Sequence, residues 1–311
     1  MGRPLLITGS EGLIGRALGQ SLVASGFEIR GLDLRARAGI GQGDVRVLET
    51  VRERMRDCVG VVHLAAVSRV IWGEQDPQGC WETNVGGTGN VLTAALGAQH
   101  RPWVLFASSR EVYGQPRDVP VSEDAPLAPL NVYGRSKVMG ERLLEEVREA
   151  GLRTAVVRLS NVYGSPEDHP DRVVPAFARA ALLRGQLRVD GAGNTFDFTH
   201  LSDTVRGLVG LVAALEGGEG KLPPVHLVTG IPTTLGALAR LAVTLAGTGA
   251  EVVEAAPRDF DVSHFHGSPQ RAKEILGWEA QVSIEAGLAK LIEAFRGPCR
   301  QLGTMHHGRR G

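Results

Sequence analysis

The chain has 311 residues, 43% hydrophobic and 22% charged, which is enough apolar material for a sizeable core and excludes disorder as the main state. Its 34 basic residues balance its 34 acidic ones, which speaks against a nucleic-acid binder, and three cysteines (Cys58, Cys80, Cys299) without metal or redox spacing speak against a disulfide scaffold. With neither a signal-peptide pattern nor a run of about eighteen apolar residues, the expectation is a soluble cytoplasmic protein without a membrane partner.

Leu5-Leu6-Ile7-Thr8 is a short apolar strand that ends at a glycine turn. Residues 13–25 then repeat at helical spacing, with Leu13, Ile14, Ala17, Leu18, Leu22 and Val23 on one side. Further strands are expected at 27–33, 59–64, 103–107 and 155–159, with apolar helices at about 85–98 and 135–149 between them. Strands alternating with amphipathic helices predict an α/β, doubly wound parallel sheet, and continuously apolar strands predict helices on both of its faces. After residue 165 the rhythm changes: Pro166, Pro170 and Pro175 punctuate the chain, and helices are expected at 174–184, 234–247 and 284–296. The pattern divides the chain into a first domain, 1–165, and a smaller region, 166–311, with roughly 196–230 returning to the main sheet.

The first turn carries the clearest chemical signal. Thr8-Gly9-Ser10-Glu11-Gly12-Leu13-Ile14-Gly15 lies between strand and helix, where glycines permit a tight turn, close approach of a pyrophosphate and close helix packing. The helix N-terminus offers unpaired N–H groups to phosphate. Asp33 ends the next strand eighteen residues after Gly15, placed to bind ribose hydroxyls and repel a 2′-phosphate. This favours NAD, while Arg35 and Arg37 leave NADP open.

The three tyrosines of the chain, Tyr113, Tyr133 and Tyr163, all lie in Val-Tyr-Gly tripeptides. Only Tyr133 has a lysine four residues on, Lys137, one of just four lysines in the chain. On a helix the two share a face, so the ammonium is expected to lower the phenol pKa and to hold the cofactor ribose. A tyrosine base beside a nicotinamide suits removal of an alcohol proton as hydride leaves carbon.

Further motifs follow in order: Gly43-Asp44-Val45, His63-Leu64-Ala65-Ala66, Asn84, Ser108-Ser109-Arg110-Glu111-Val112-Tyr113-Gly114, Arg158 to Gly164, Asp197-Phe198-Thr199-His200 and Leu276-Gly277-Trp278. With the glycine loop and Tyr133-x-x-x-Lys137, this series resembles the extended short-chain dehydrogenase/reductase family, the nucleotide-sugar epimerases and dehydratases, from about residue 4 to 292. The resemblance implies a Rossmann-type NAD-binding domain, a C-terminal substrate region and a nucleotide-sugar substrate. It also implies a homodimer built through a four-helix bundle of the 85–98 and 135–149 helices. Gly9, Gly12, Leu13, Ile14, Gly15 and Asp33 would hold NAD, with Asp44 and Val45 at the adenine. Leu64, Ala65, Ala66 and Asn84 would lie beneath the cofactor. Ser109, Tyr133 and Lys137 would be catalytic. Arg110, Asn161, Val174, Arg258 and Asp261 would join Ser109 in holding substrate.

Two positions depart from the family pattern. Phe196 stands where relatives carry an arginine for the diphosphate, and simple packing is the expected reason. Arg110-Glu111 stands where 4,6-dehydratases carry Asp-Glu and simple 4-epimerases carry small residues. Glu111 can serve as a base at C5, but an arginine stays charged and is a poor acid. A solvent-facing ion pair is the plain alternative for these two residues. The expected activity is therefore NAD-dependent 4-epimerisation through a 4-keto intermediate. A dehydratase or decarboxylase using Glu111 as base is the alternative, and a non-catalytic dinucleotide-binding protein a remote one. His264 and His266 lack a third ligand, so no metal is expected. The four tryptophans are expected to pack, with Trp72 near the substrate mouth.

Overall fold

The computed structural model describes residues 3–183, 185–257 and 262–297. β1 (Arg3–Thr8) turns into α1 (Leu13–Ala24), followed by β2 (Phe27–Leu32), α2 (Leu48–Met55) and β3 (Gly60–His63). Two short helices, α3 (Val70–Gln75) and α4 (Pro77–Trp81), pass through a π-helical turn (Glu82–Gly86) into α5 (Gly87–Gly97). β4 (Trp103–Ser109) runs into a 3-10 turn (Arg110–Tyr113), and α6 (Val132–Glu149) leads to β5 (Thr154–Leu159). Then come β6 (Asn161–Tyr163), α7 (Val173–Leu182), β7 (Gln186–Asp190), β8 (Thr195–Phe196) and β9 (Phe198–His200). The rest is α8 (Leu201–Glu216), β10 (Val225–Leu227), β11 (Thr233–Thr234), α9 (Leu235–Ala246), β12 (Glu251–Ala255), α10 (Gln270–Leu276) and α11 (Ile284–Arg296).

Six parallel strands form the central sheet in the order β10-β5-β4-β3-β1-β2. Side chains alternate across it, as strand geometry requires. Leu5, Ile7, Val62, Leu105 and Val157 pack with Leu18 and Leu22 of α1 and Leu208 and Leu211 of α8. Leu6, Val61, Val104 and Phe106 face the other way, onto Val51 of α2, Val91 and Ala95 of α5 and Leu144 of α6. Both faces are covered, which is why the strands read as unbroken apolar runs. The chain leaves β1 towards β2 on one side and towards β3, β4 and β5 on the other. The strand order thus reverses beside β1, and a crevice opens at the carboxyl ends of the strands, where such sheets bind ligands.

The smaller lobe packs α7, α9 and α11 around the parallel pair β7·β12, with Phe177, Leu187, Val189, Leu238 and Leu291 in its core. β8 pairs with β11 and β9 with β6 outside the main sheet, whereas α8 and β10 lie against and within it. Two helix starts differ from the sequence expectation. α6 begins at Val132 rather than 135, because the Asn131 side chain caps it by accepting from the Gly134 N–H at 2.8 Å. The helix expected at 85–98 is α5 preceded by the widened π turn that carries Asn84.

Candidate active site

The crevice holds a cavity of about 480 Å³ between the two lobes. Its floor is the first turn. Gly9 has φ +71°, and a Cβ there would stand 2.8 Å from the Ala65 nitrogen. A Cβ on Gly15 would stand 2.2 Å from the Gly9 carbonyl, so these positions admit only glycine. Gly12 caps α1 without a side chain, which leaves the first amides of the helix free to meet an anion. Leu13, Ile14, Leu64 and Ala66 line the same wall.

Asp33 is buried just past β2, where its carboxylate accepts from the Glu11 N–H at 3.0 Å and the Arg35 N–H at 2.8 Å. A side-chain-free helix end with a fixed carboxylate beside it fits a dinucleotide. Ala65 and Asn84 lie behind the wall. The Ala65 N–H donates to Thr8 Oγ1, and the Asn84 amide grips Val67 through both its N–H and C=O and donates to Ser136. Asp44 pairs with Arg46 at 2.6 Å, while Val45 is buried against Gly87; neither lines the cavity.

Ser109 ends β4 and Tyr133 and Lys137 occupy the first turns of α6, so strand end and helix start bring the three together at the cavity. Burial pushes the Tyr133 phenol up to about 12, opposed by a hydrogen bond from Ser109 and by the charge of Arg172. Lys137 does not lower the phenol as the spacing suggested. Its Nζ donates to the Ala107 carbonyl at 2.8 Å and stands 5.8 Å from the Tyr133 ring centre, while burial lowers its own pKa to about 8. Tyr113 and Tyr163 do other work. Tyr113 accepts from Arg158 at 2.7 Å and lies 2.6 Å from His226 Nε2, and Tyr163 donates to the Ser283 carbonyl at 3.3 Å.

Arg110 and Glu111 pair at 2.8 Å, with side chains only 12% and 7% exposed, so they are not a solvent-facing pair. The other Glu111 oxygen accepts from Asn131 at 2.7 Å. The Arg110 guanidinium lies 4.6 Å from the Phe196 ring centre and 5.9 Å from that of Phe265. Phe196 therefore does more than pack: it is a platform for a cation. Asn161 and Val174 line the same cavity. Arg258 and Asp261 lie outside the described residues.

Sequence reasoning missed the segment between β6 and α7. Asp168, 5% exposed, meets Arg172 at 3.3 Å, and both line the cavity; burial pushes the Asp168 carboxyl up. Arg69 bonds His169 at 2.9 Å and Asp171 at 3.4 Å, and its guanidinium lies 5.2 Å from the ring centre of Trp72, which does not itself line the cavity. On the other side Arg16 holds Glu167 at 2.9 Å and Glu11 at 3.0 Å. An irregular, proline-broken segment carries no periodicity, and its dense run of charged residues, Glu167 to Arg172, is the one sequence signal that could have marked it. His264 bonds the Pro116 carbonyl at 2.9 Å, and no cluster of metal-ligating side chains occurs among the described residues.

Comparison with known proteins agrees with this geometry. The sequence profile of the NAD dependent epimerase/dehydratase family matches residues 5–223. A UDP-glucose 4-epimerase of Mycolicibacterium smegmatis is 30% identical over 315 residues, covering 94% of this chain and 98% of that protein. The solved structure of MoeE5 in complex with UDP-glucuronic acid and NAD is similar at a TM-score of 0.84 and 28% identity, covering 94% of this chain and 99% of that one. The structure of TunA, an NAD-dependent NDP-hexosamine 5,6-dehydratase of tunicamycin biosynthesis, is similar at 0.84 and 30% identity, covering 95% and 98%. With the glycine cradle, the buried Asp33 and the Ser109–Tyr133–Lys137 cluster in place, the chain belongs to the NAD-dependent epimerase/dehydratase family of enzymes and uses NAD.

Proposed function

We infer that the protein is a nucleotide-sugar 4-epimerase. NAD, when bound, supplies the acceptor and later the donor of the C4 hydride. The protein's own part is proton handling and orientation. Tyr133 takes the 4-hydroxyl proton, Ser109 positions that hydroxyl and hydrogen-bonds the phenol, and Arg172 is the cation that favours the phenolate a base requires. The 4-keto sugar then turns in the cavity to present its opposite face for return of the hydride, and Tyr133 gives the proton back to the C4 oxygen.

The observation that carries epimerisation over elimination is the state of Glu111. One of its carboxylate oxygens is held by Arg110 and the other by Asn131, and Arg110 cannot act as an acid at neutral pH. Elimination needs a free base at C5 and an acid for the departing hydroxyl. The likeness to TunA keeps a dehydratase as the second reading, with Glu111 as its base. Incubation with a panel of nucleotide sugars in deuterium oxide, read by NMR, tests both. C4 epimers without deuterium at C5 are expected; a product lighter by one water, or labelled at C5, establishes the lyase instead. We also read α5 and α6 as the face of a homodimer, which sedimentation of the purified protein tests.

A further inference from the structure

Among the described residues, three buried side-chain polar atoms have no hydrogen-bond partner: Arg110 Nη1, Asp168 Oδ2 and His226 Nδ1. Arg110 and Asp168 both line the cavity that holds Ser109 and Tyr133. One atom is a donor and the other an acceptor. A buried polar group without a partner is costly, so each points to a ligand that completes it.

The charges around them narrow the ligand further. Each arginine of the cavity wall is matched by an acid: Arg110 by Glu111 at 2.8 Å, Arg172 by Asp168 at 3.3 Å, Arg69 by Asp171 at 3.4 Å and Arg188 by Asp190 at 2.8 Å. The Arg69–Asp171 and Arg188–Asp190 pairs have exposed acids and can exchange them for a phosphate, whereas Asp168 is buried beside Arg172. Arg110 cannot make that exchange. Its acid is buried with it, fixed from behind by Asn131, and its guanidinium is sandwiched against Phe196 and Phe265.

We propose that the Arg110–Glu111 pair, together with Asp168 in the wall of the same cavity, makes it selective for an uncharged, polyhydroxylated sugar and rejects hexuronates. This rests on the reading of the protein as a nucleotide-sugar enzyme. A hydroxyl accepts from Arg110 Nη1, and a hydroxyl donates to Asp168 Oδ2; a sugar presents both functions. A carboxylate only accepts. At Arg110 it meets a cation already neutralised by Glu111 and sits close to that second carboxylate in a dry site, where like charges repel strongly. At Asp168 it meets a third carboxylate.

The test is calorimetric binding of UDP-glucose and UDP-glucuronate to the NAD-loaded enzyme, for the wild type and for Glu111→Gln. The wild type is expected to bind the neutral sugar at least about tenfold tighter, the discrimination expected of a misplaced charge. Glu111→Gln leaves the guanidinium uncompensated, so UDP-glucuronate is expected to gain about tenfold relative to UDP-glucose. Equal affinities, or preference for UDP-glucuronate in the wild type, overturn the proposal, and this holds even where the variant fails to fold. An unchanged ratio in a folded Glu111→Gln protein also overturns it. Because binding is read apart from products, a dehydrated product formed with the preference intact defeats only the epimerase reading.

Discussion

Replacing Lys137 by methionine is expected to make the protein more stable while disabling it. The ammonium is buried, and its pKa falls from an ordinary 10.5 to about 8. That fall, at about 1.4 kcal/mol for each tenfold change, corresponds to roughly 3–4 kcal/mol of disfavour for the charge in the folded state at neutral pH. Methionine matches the stem in length but loses the ammonium's place over the Phe106 ring, 4.8 Å from its centre, and the hydrogen bond to the Ala107 carbonyl, together worth about 1–2 kcal/mol. A net gain of about 2 kcal/mol at pH 7 follows. Below pH 8 the lysine is protonated in both folded and unfolded chains, so the wild type carries the whole penalty. Between pH 8 and 10.5 the unfolded chain still holds a proton that the folded chain has released, so wild-type stability rises relative to the variant. Above 10.5 the difference due to charge is gone. Urea unfolding of cofactor-stripped wild type and Lys137→Met at pH 7 and pH 10 measures this directly. A variant that is less stable at pH 7, or a gain that does not shrink with rising pH, refutes the reasoning.

Tyr133→Phe is expected to lower turnover by about 10²–10⁴-fold while leaving NAD binding nearly intact, read by steady-state kinetics and by cofactor titration; full turnover in the variant removes Tyr133 from the mechanism. Asp33→Ala is expected to weaken NAD binding and to narrow the gap to NADP, and a native protein that already prefers NADP in titration contradicts this. His63 and His226 are buried with pKa values near 3, so the unfolded chain takes up protons below pH 6.5 that the folded chain refuses. Stability is expected to fall as the pH drops from 6.5 towards 3, by about 1.4 kcal/mol per unit for each histidine. Urea midpoints that stay flat between pH 6.5 and 5 count against it.

The parts of the molecule that could be read from sequence are those governed by local rules. The apolar strands, the glycine turn and the lone lysine four residues after a tyrosine need no knowledge of distant neighbours. The parts that could not be read depend on residues far apart in the chain. Arg110 and Phe196 each break the family pattern, and only the fold stacks one on the other. Separately, each looked like an isolated oddity, a surface ion pair and a packing substitution. The lysine shows a second kind of limit. Spacing placed Lys137 beside Tyr133, but burial dominates the titration of both groups, and burial depends on what α6 packs against. Asp168 was silent because an irregular segment has no period to betray which side chains turn inward.

The segment between β6 and α7 is tied to the larger lobe at two edges, by Glu167 to Arg16 and by Asp171 and His169 to Arg69. Contacts of this exposed, charged kind are worth at most about 1 kcal/mol each, so they part singly and re-form quickly. Several weak fasteners of this kind hold the segment in place without making it rigid. Because salt screens such pairs over about 10 Å at 0.1 M, the grip of this segment on the larger lobe loosens with rising ionic strength, whereas the buried Arg110–Glu111 pair in the cavity is screened far less.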